Sequence, residues 1–273
     1  MTTSVIRVLY HYTSFLPHDQ KAERMKEFET NIATVDGDMD TFICHPEEGG
    51  PFPAVIMYMD APGIREELRD MARRIGTAGY YVILPNLYYR WGREDNYGFE
   101  RTRIREDENE LQKMFDMMNA ATTEKIVADT RPMLDFITND LQAKEGPVGA
   151  VGYCMSGKYI VGIGATYPDE FAALASYYGV GIQTEESDSP HLSAHKIKGE
   201  LYLAFAEEDV YVPGPLLKSI PEEMAKAGIN CRVEVYPGTG HGFAFPERPI
   251  YHKQAAERHW ERMLALFDRN LKA

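Results

Sequence analysis

The chain has 273 residues, 44% of them hydrophobic, which is enough to fill one core of ordinary α/β size and suits a single domain. Its 29 Lys and Arg against 42 Asp and Glu leave a formal charge of −13 with no basic stripe, which argues against nucleic acid and against an anionic membrane surface. No apolar segment reaches spanning length, Met1–Arg7 lacks a signal peptide's apolar core, and Cys44, Cys154 and Cys231 form neither a disulfide framework nor a zinc pattern.

Residues 1–28 lack clear apolar periodicity and read as an N-terminal extension, leaving 29–273 as the folded unit. Two apolar-rich runs, Asn31–Val35 and Met39–Cys44, flank Asp36-Gly37-Asp38 and predict a hairpin with an Asp-Gly turn. Buried strands are expected at Ala54–Met59 and Tyr80–Leu84, with a helix over Ile64–Ala78 between them. The charged, Met-containing segment Arg90–Ala121 reads either as a cover over a site or as a solvated helix-rich insertion. A helix over Thr123–Leu141 then leads to a short apolar run, Pro147–Val151. No internal repeat interrupts the pattern, and Gly149-Ala150-Val151-Gly152 lacks the spacing of a dinucleotide loop.

Directly after that run comes Gly152-Tyr153-Cys154-Met155-Ser156-Gly157. A lone cysteine beside a core strand is often only a small hydrophobe. Here it sits among small residues between a strand and a helix start, where a tight turn exposes a side chain and unpaired N–H groups favour a thiolate. A nucleophile needs a base and an acid to orient it. Leu201–Ala206 reads as a strand followed by Glu207-Glu208-Asp209, and Asp209, four residues before Pro213, is preferred over its two neighbours as the acid. Cys231–Tyr236 alternates like a half-buried strand and leads to Gly238-Thr239-Gly240-His241-Gly242-Phe243. His241, flanked by glycines, has the freedom to swing its ring over a thiol. His191 and His195 stand four apart but lack a third ligand, so no metal is expected; His252 and His259 read as surface or packing residues of a C-terminal helix.

Cys154, Asp209 and His241, in that order and each at a strand end, resemble the dienelactone hydrolase family of α/β hydrolases. The resemblance runs from about Ala33 to the C-terminus, with Pro85-Asn86-Leu87-Tyr88 in support. It implies a mostly parallel, doubly wound sheet with helices on both faces and the site at the C-terminal strand ends. It also implies a nucleophile–acid–base triad, and an oxyanion hole from the backbone N–H groups of Ala61 and Met155. Where the family typically places a glutamate against the resting thiol, this chain has Asp60, one methylene shorter. Where dienelactone-cleaving members carry a substrate-binding arginine, four residues after the histidine, it has Phe245; Arg105 falls roughly where another such arginine would lie.

These residues lead us to expect a cytoplasmic enzyme without cofactor that hydrolyses a small lactone or activated enol ester. Tyr88, Tyr89, Trp91, Tyr177, Tyr178, Phe243 and Phe245, with the missing arginine, suggest a neutral substrate with an apolar or aromatic portion. A broad carboxylesterase or thioesterase of the same fold is an alternative, and a ligand-binding protein without turnover is another. Composition does not specify the oligomeric state.

Overall fold

The computed structural model describes residues 25–94 and 96–272. Most of the expected extension, residues 1–24, therefore lies outside the described residues, while its last three form the start of the first strand. Eight strands make one sheet in the order β1-β2-β4-β3-β5-β6-β7-β8: β1 (Lys26–Thr34), β2 (Gly37–His45), β3 (Ala54–Tyr58), β4 (Tyr81–Pro85), β5 (Val148–Tyr153), β6 (Phe171–Tyr177), β7 (Glu200–Glu208) and β8 (Cys231–Gly240). β1 and β2 form the expected antiparallel hairpin, with Gly37 at a φ of 134° closing its turn against Thr34. From β4 onward every pairing is parallel.

Parallel strands need crossovers, and among the described residues six helices supply them or flank them: α1 (Glu66–Thr77), α2 (Glu108–Ala120), α3 (Thr123–Asn139), α4 (Gly157–Thr166), α5 (Gly214–Ala227) and α6 (Lys253–Leu271). α1 and α6 share one face, where Arg74 of α1 stacks on Trp260 of α6 at 4.4 Å. α3, α4 and α5 cover the other. β3, β4 and β5 are buried along their whole length, as strands covered on both faces must be, and this explains their continuous apolar runs in the sequence. The fold is the expected doubly wound α/β-hydrolase sheet. Its C-terminal strand ends carry the residues described next.

Candidate active site

β5 ends at Tyr153, and the chain turns sharply through the short 3₁₀ segment Cys154–Ser156 into α4. Cys154 holds a φ of +55°, a left-handed conformation that a side chain adopts only where its surroundings enforce it. Two glycines make the turn possible by close approach rather than by φ. A Cβ on Gly152 would lie 2.7 Å from Ile160 of α4, and one on Gly157 would lie 2.3 Å from the Cα of Gly179. Ser156 Oγ donates to the Met59 carbonyl, fastening the turn to the loop after β3. Val180 N–H donates to the Cys154 carbonyl at 2.9 Å, fastening it to the loop after β6.

Asp209 and His241, the expected acid and base, come from the ends of β7 and β8 in the same half of the sheet. Asp209 follows β7 directly, and its Oδ2 lies 2.7 Å from Nδ1 of His241, which follows β8. The Asp209 side chain is fully buried, and its Oδ1 accepts a bond from Tyr211 N–H at 2.9 Å, so its orientation is fixed. Nε2 of His241 is buried without a hydrogen bond of regular geometry, and the sulfur of Cys154 acts on it. Burial alone would lower the basicity of the ring. The charge of Cys154 and the bond to Asp209 outweigh it and raise the pKa to about 9. The ring does not swing freely, despite its glycine neighbours: it is wedged edge-on between Tyr178 at 5.2 Å and Tyr211 at 4.8 Å.

Cys154 and His241 open onto one cavity of about 400 Å³. Ile104, Leu111, Met114, Phe115 and Met118, all from the 101–118 stretch, form its apolar wall, so part of the charged insertion Arg90–Ala121 lines the cavity. Ala61 lines the cavity beside Cys154, and Met155 is buried next to it. The Tyr88 hydroxyl sits 2.9 Å from the Ala61 carbonyl and 3.2 Å from Met155 Sδ, holding together the two residues expected to supply the oxyanion hole.

Three sequence expectations change here. Phe245 is fully buried and does not line the cavity; it packs on Tyr153, with the guanidiniums of Arg65 at 4.9 Å and Arg248 at 4.5 Å from its ring centre. The cation thought missing four residues after His241 is present at Arg248, seven residues after it, and Arg248, Arg65, Arg101 and Arg105 all line the cavity. Of the aromatic residues expected to shape the substrate portion, none does; Phe115 and Tyr211 are the aromatic wall.

Asp60 lies fully buried at the base of this arginine group. Arg65 Nη1 donates to its Oδ1 at 2.6 Å, Arg65 Nη2 to its Oδ2 at 3.2 Å, and Arg248 also donates to Oδ2. Burial pushes its pKa up, but the two guanidiniums more than reverse this and hold the carboxyl below the ordinary range. Both oxygens are thus committed to arginines. Arg105, by contrast, is exposed at the rim. Arg65 and Arg248 escaped the sequence reading because the loop after His241 brings them together through tertiary contacts, not through any local spacing.

His191 bonds Ser189, His252 caps the start of α6, and His259 is buried in the core with Nε2 2.8 Å from the Tyr153 hydroxyl. Among the described residues no helix is long and apolar enough to cross a membrane.

The comparisons agree with this architecture. Residues 39–271 match the model of the dienelactone hydrolase family. A Synechocystis protein named "Putative carboxymethylenebutenolidase" is 30% identical over 234 residues, covering 85% of this chain and 92% of its own. A Klebsiella pneumoniae crystal structure described as a "Putative Dienelactone Hydrolase" superposes with a TM-score of 0.77 at 22% identity, over 89% of this chain and 98% of that one. An acylaminoacyl peptidase from Pyrococcus horikoshii shares the fold at a TM-score of 0.67 and 17% identity, over 92% of this chain and 43% of its own. The chain belongs to the dienelactone hydrolase family and is a carboxylic ester hydrolase of the α/β-hydrolase fold.

Proposed function

We propose that the protein hydrolyses a small lactone or activated enol ester through Cys154, and that its substrate carries a carboxylate. The observation that carries the reading is that Cys154 and His241 line one cavity while Asp209 fixes the far side of the imidazole at 2.7 Å. With its pKa raised to about 9, His241 holds a proton at neutral pH, and Cys154 reacts as the thiolate beside it. The Cys154 sulfur attacks the carbonyl carbon, and the N–H groups of Ala61 and Met155 hold the oxygen as it becomes anionic. Collapse breaks the acyl–oxygen bond, and His241 gives its Nε2 proton to the departing oxygen. A thioester remains. His241 then takes a proton from water, which attacks the thioester and releases the carboxylic acid and the thiolate. Asp209 holds the imidazole in the tautomer and orientation that these transfers need.

Sulfur sets the substrate class. A thiolate leaves more readily than an alkoxide, so the tetrahedral intermediate goes forward only when the departing oxygen is itself a good leaving group, as in an enol ester. The carboxylate follows from the walls: apolar side chains from α2 share the lining with Arg65, Arg101, Arg105 and Arg248, four cations against the two carboxylates of Glu67 and Glu247, and Arg105 at the rim is exposed to an incoming anion. The relatives' name, carboxymethylenebutenolidase, likewise denotes a carboxylate-bearing unsaturated lactone. The location expected for such a thiol is a reducing compartment, the cytoplasm.

Mixing the protein with a slow enol ester and quenching in acid tests the reading. Mass spectrometry should find the acyl group on Cys154 during turnover. Hydrolysis that persists in Cys154→Ala, with no acyl group on the parent protein, would overturn it.

A further inference from the structure

The helix α2 is amphipathic, and its apolar stripe looks into a cavity. Leu111, Met114, Phe115 and Met118 stand at i, i+3, i+4 and i+7 and so share one face, while Glu108, Asn109, Gln112, Lys113 and Asp116 are exposed. Such a stripe normally buries itself against other elements of the fold. Here all four side chains line the space that Cys154 and His241 open onto, and Leu111, Phe115 and Met118 remain half-buried.

This wall is fastened at both ends. Asp107 caps the start of α2, its carboxylate accepting from Asn109 N–H at 2.9 Å. The Glu110 carboxylate accepts from Glu100 N–H at 2.6 Å, and Arg101 donates to the Ile64 carbonyl at 2.7 Å, tying the approach to α2 to the loop after β3. At the far end Tyr159 of α4 donates to the Ala121 carbonyl. A helix held in this way keeps the space beneath it open. The cavity of about 400 Å³ is of the size that encloses a drug-sized organic molecule, and a bare lactone ring with its carboxylate fills only part of it.

One aromatic row joins the stripe to the chemistry. The Phe115 ring meets Tyr211 edge-on at 6.4 Å, and Tyr211 meets the His241 ring edge-on at 4.8 Å. The apolar wall and the His241 imidazole are thus neighbours in one space. Met114 and Met118 give the wall a surface that adapts to different outlines, so it suits selection for apolar area more than for one shape.

We propose that α2 binds an alkyl or aryl substituent of the substrate, with Leu111, Met114, Phe115 and Met118 determining specificity for it. The substrate class narrows to carboxylate-bearing lactones or enol esters with a sizeable apolar part. The proposal rests on reading the cavity beside Cys154 as the site of hydrolysis.

Isothermal titration calorimetry on Cys154→Ala tests it, with butanoate and 4-phenylbutanoate as probes and the two corresponding amides beside them. Burying the phenyl group should make 4-phenylbutanoate bind about 10–100-fold more tightly than butanoate. Adding Leu111→Gln should lower that ratio at least about threefold, since the helix keeps a good helix former but the stripe gains a polar group. Met118→Gln is the second variant, should the first fail to fold. A wall that only excludes water would weaken both probes alike and leave the ratio where it was. If only the substrate carboxylate is misassigned, the preference persists between the two amides. Absence of binding by both phenyl probes, equal affinities within each pair, or a ratio unmoved in both glutamine variants overturns the proposal. Calorimetry on Cys154→Ala involves no turnover, so its outcome is separate from whether an acyl group forms on Cys154 of the parent protein.

Discussion

The guanidinium of Arg248 stacks 4.5 Å from the ring centre of Phe245, and this contact turns a phenyl group in the sequence into a cation in the cavity. Phe245 stays in the core as a platform. Arg248, three residues on, crosses it to reach Asp60 and the cavity wall. If the substrate carries a carboxylate, as proposed, Arg248 is one of the cations in the cavity lining that could receive it.

Replacing that cation should therefore separate substrates by charge. Arg248→Met is expected to lower kcat/KM for a carboxylate-bearing lactone by about 10–100-fold, the worth of one charge-assisted pair, while a neutral lactone of the same ring changes less than about threefold. Arg105→Ala should act in the same direction more weakly, with no change in thermal midpoint, since its side chain is exposed. Steady-state kinetics on the matched pair, at low and high salt, checks both. Equal losses on the two substrates would assign these arginines to structure.

Cys154→Ala should abolish hydrolysis with the fold retained, because only a sulfur atom is lost from a half-exposed position. Cys154→Ser keeps the geometry but depends on His241 to remove a hydroxyl proton, so activity on enol esters should fall. Asp209→Asn should cost about 10⁴ in kcat by presenting the wrong imidazole tautomer. Circular dichroism and kcat on purified variants distinguish these losses from unfolding.

The raised His241 pKa gives a pH signature, and thiol chemistry gives a site signature. Alkylation near neutral pH should mark Cys154 and spare Cys44 and Cys231, because burial pushes those two thiols up to about 12. For stability, a histidine raised from 6.5 to about 9 binds its proton more tightly when folded. Its contribution is complete below about 6.5 and is lost as pH climbs through about 9. The thermal midpoint should fall over that window, and fall less in Cys154→Ala, where the partner charge is gone. A fall of the same size in both proteins would remove Cys154 as the cause.

Gly157→Ala should be among the most damaging small changes in the chain. Its methyl group would meet the Gly179 Cα at 2.3 Å, backbone against backbone, so the turn holding Cys154 or the turn holding Tyr178 must move. Loss of activity and a loss of stability above about 3 kcal/mol are expected. Gly214→Ala is the control: its added Cβ meets nothing within 4 Å, and it opens α5, so denaturation should show a change of under about 1 kcal/mol, in the stabilising direction.

The sequence announces those parts whose chemistry is local. A strand-end cysteine between glycines, an acid after a strand and a glycine-flanked histidine each require a particular turn, so Cys154, Asp209 and His241 can be read without coordinates. The Asp36-Gly37 hairpin is legible for the same reason. β6 is not: FAALASY is small and apolar without alternation, and would serve equally in a buried helix. Nor is the substrate wall, because Arg65 and Arg248 meet at Asp60 from α1's approach and from the loop after β8, 183 residues apart in sequence and joined only by folding. The committed proton of Tyr88 is equally invisible until the hydroxyl's neighbours are known.

The order of strands across the sheet has a consequence for how the protein comes into being. Cys154, Asp209 and His241 follow β5, β7 and β8, the order in which a ribosome delivers them. Until β8 is in place, β7 would offer its unpaired backbone groups as an open edge to another strand. Only when β8 docks does that edge close, and the same step delivers His241 to Cys154. The strand that closes the sheet is thus also the one that completes the proposed site.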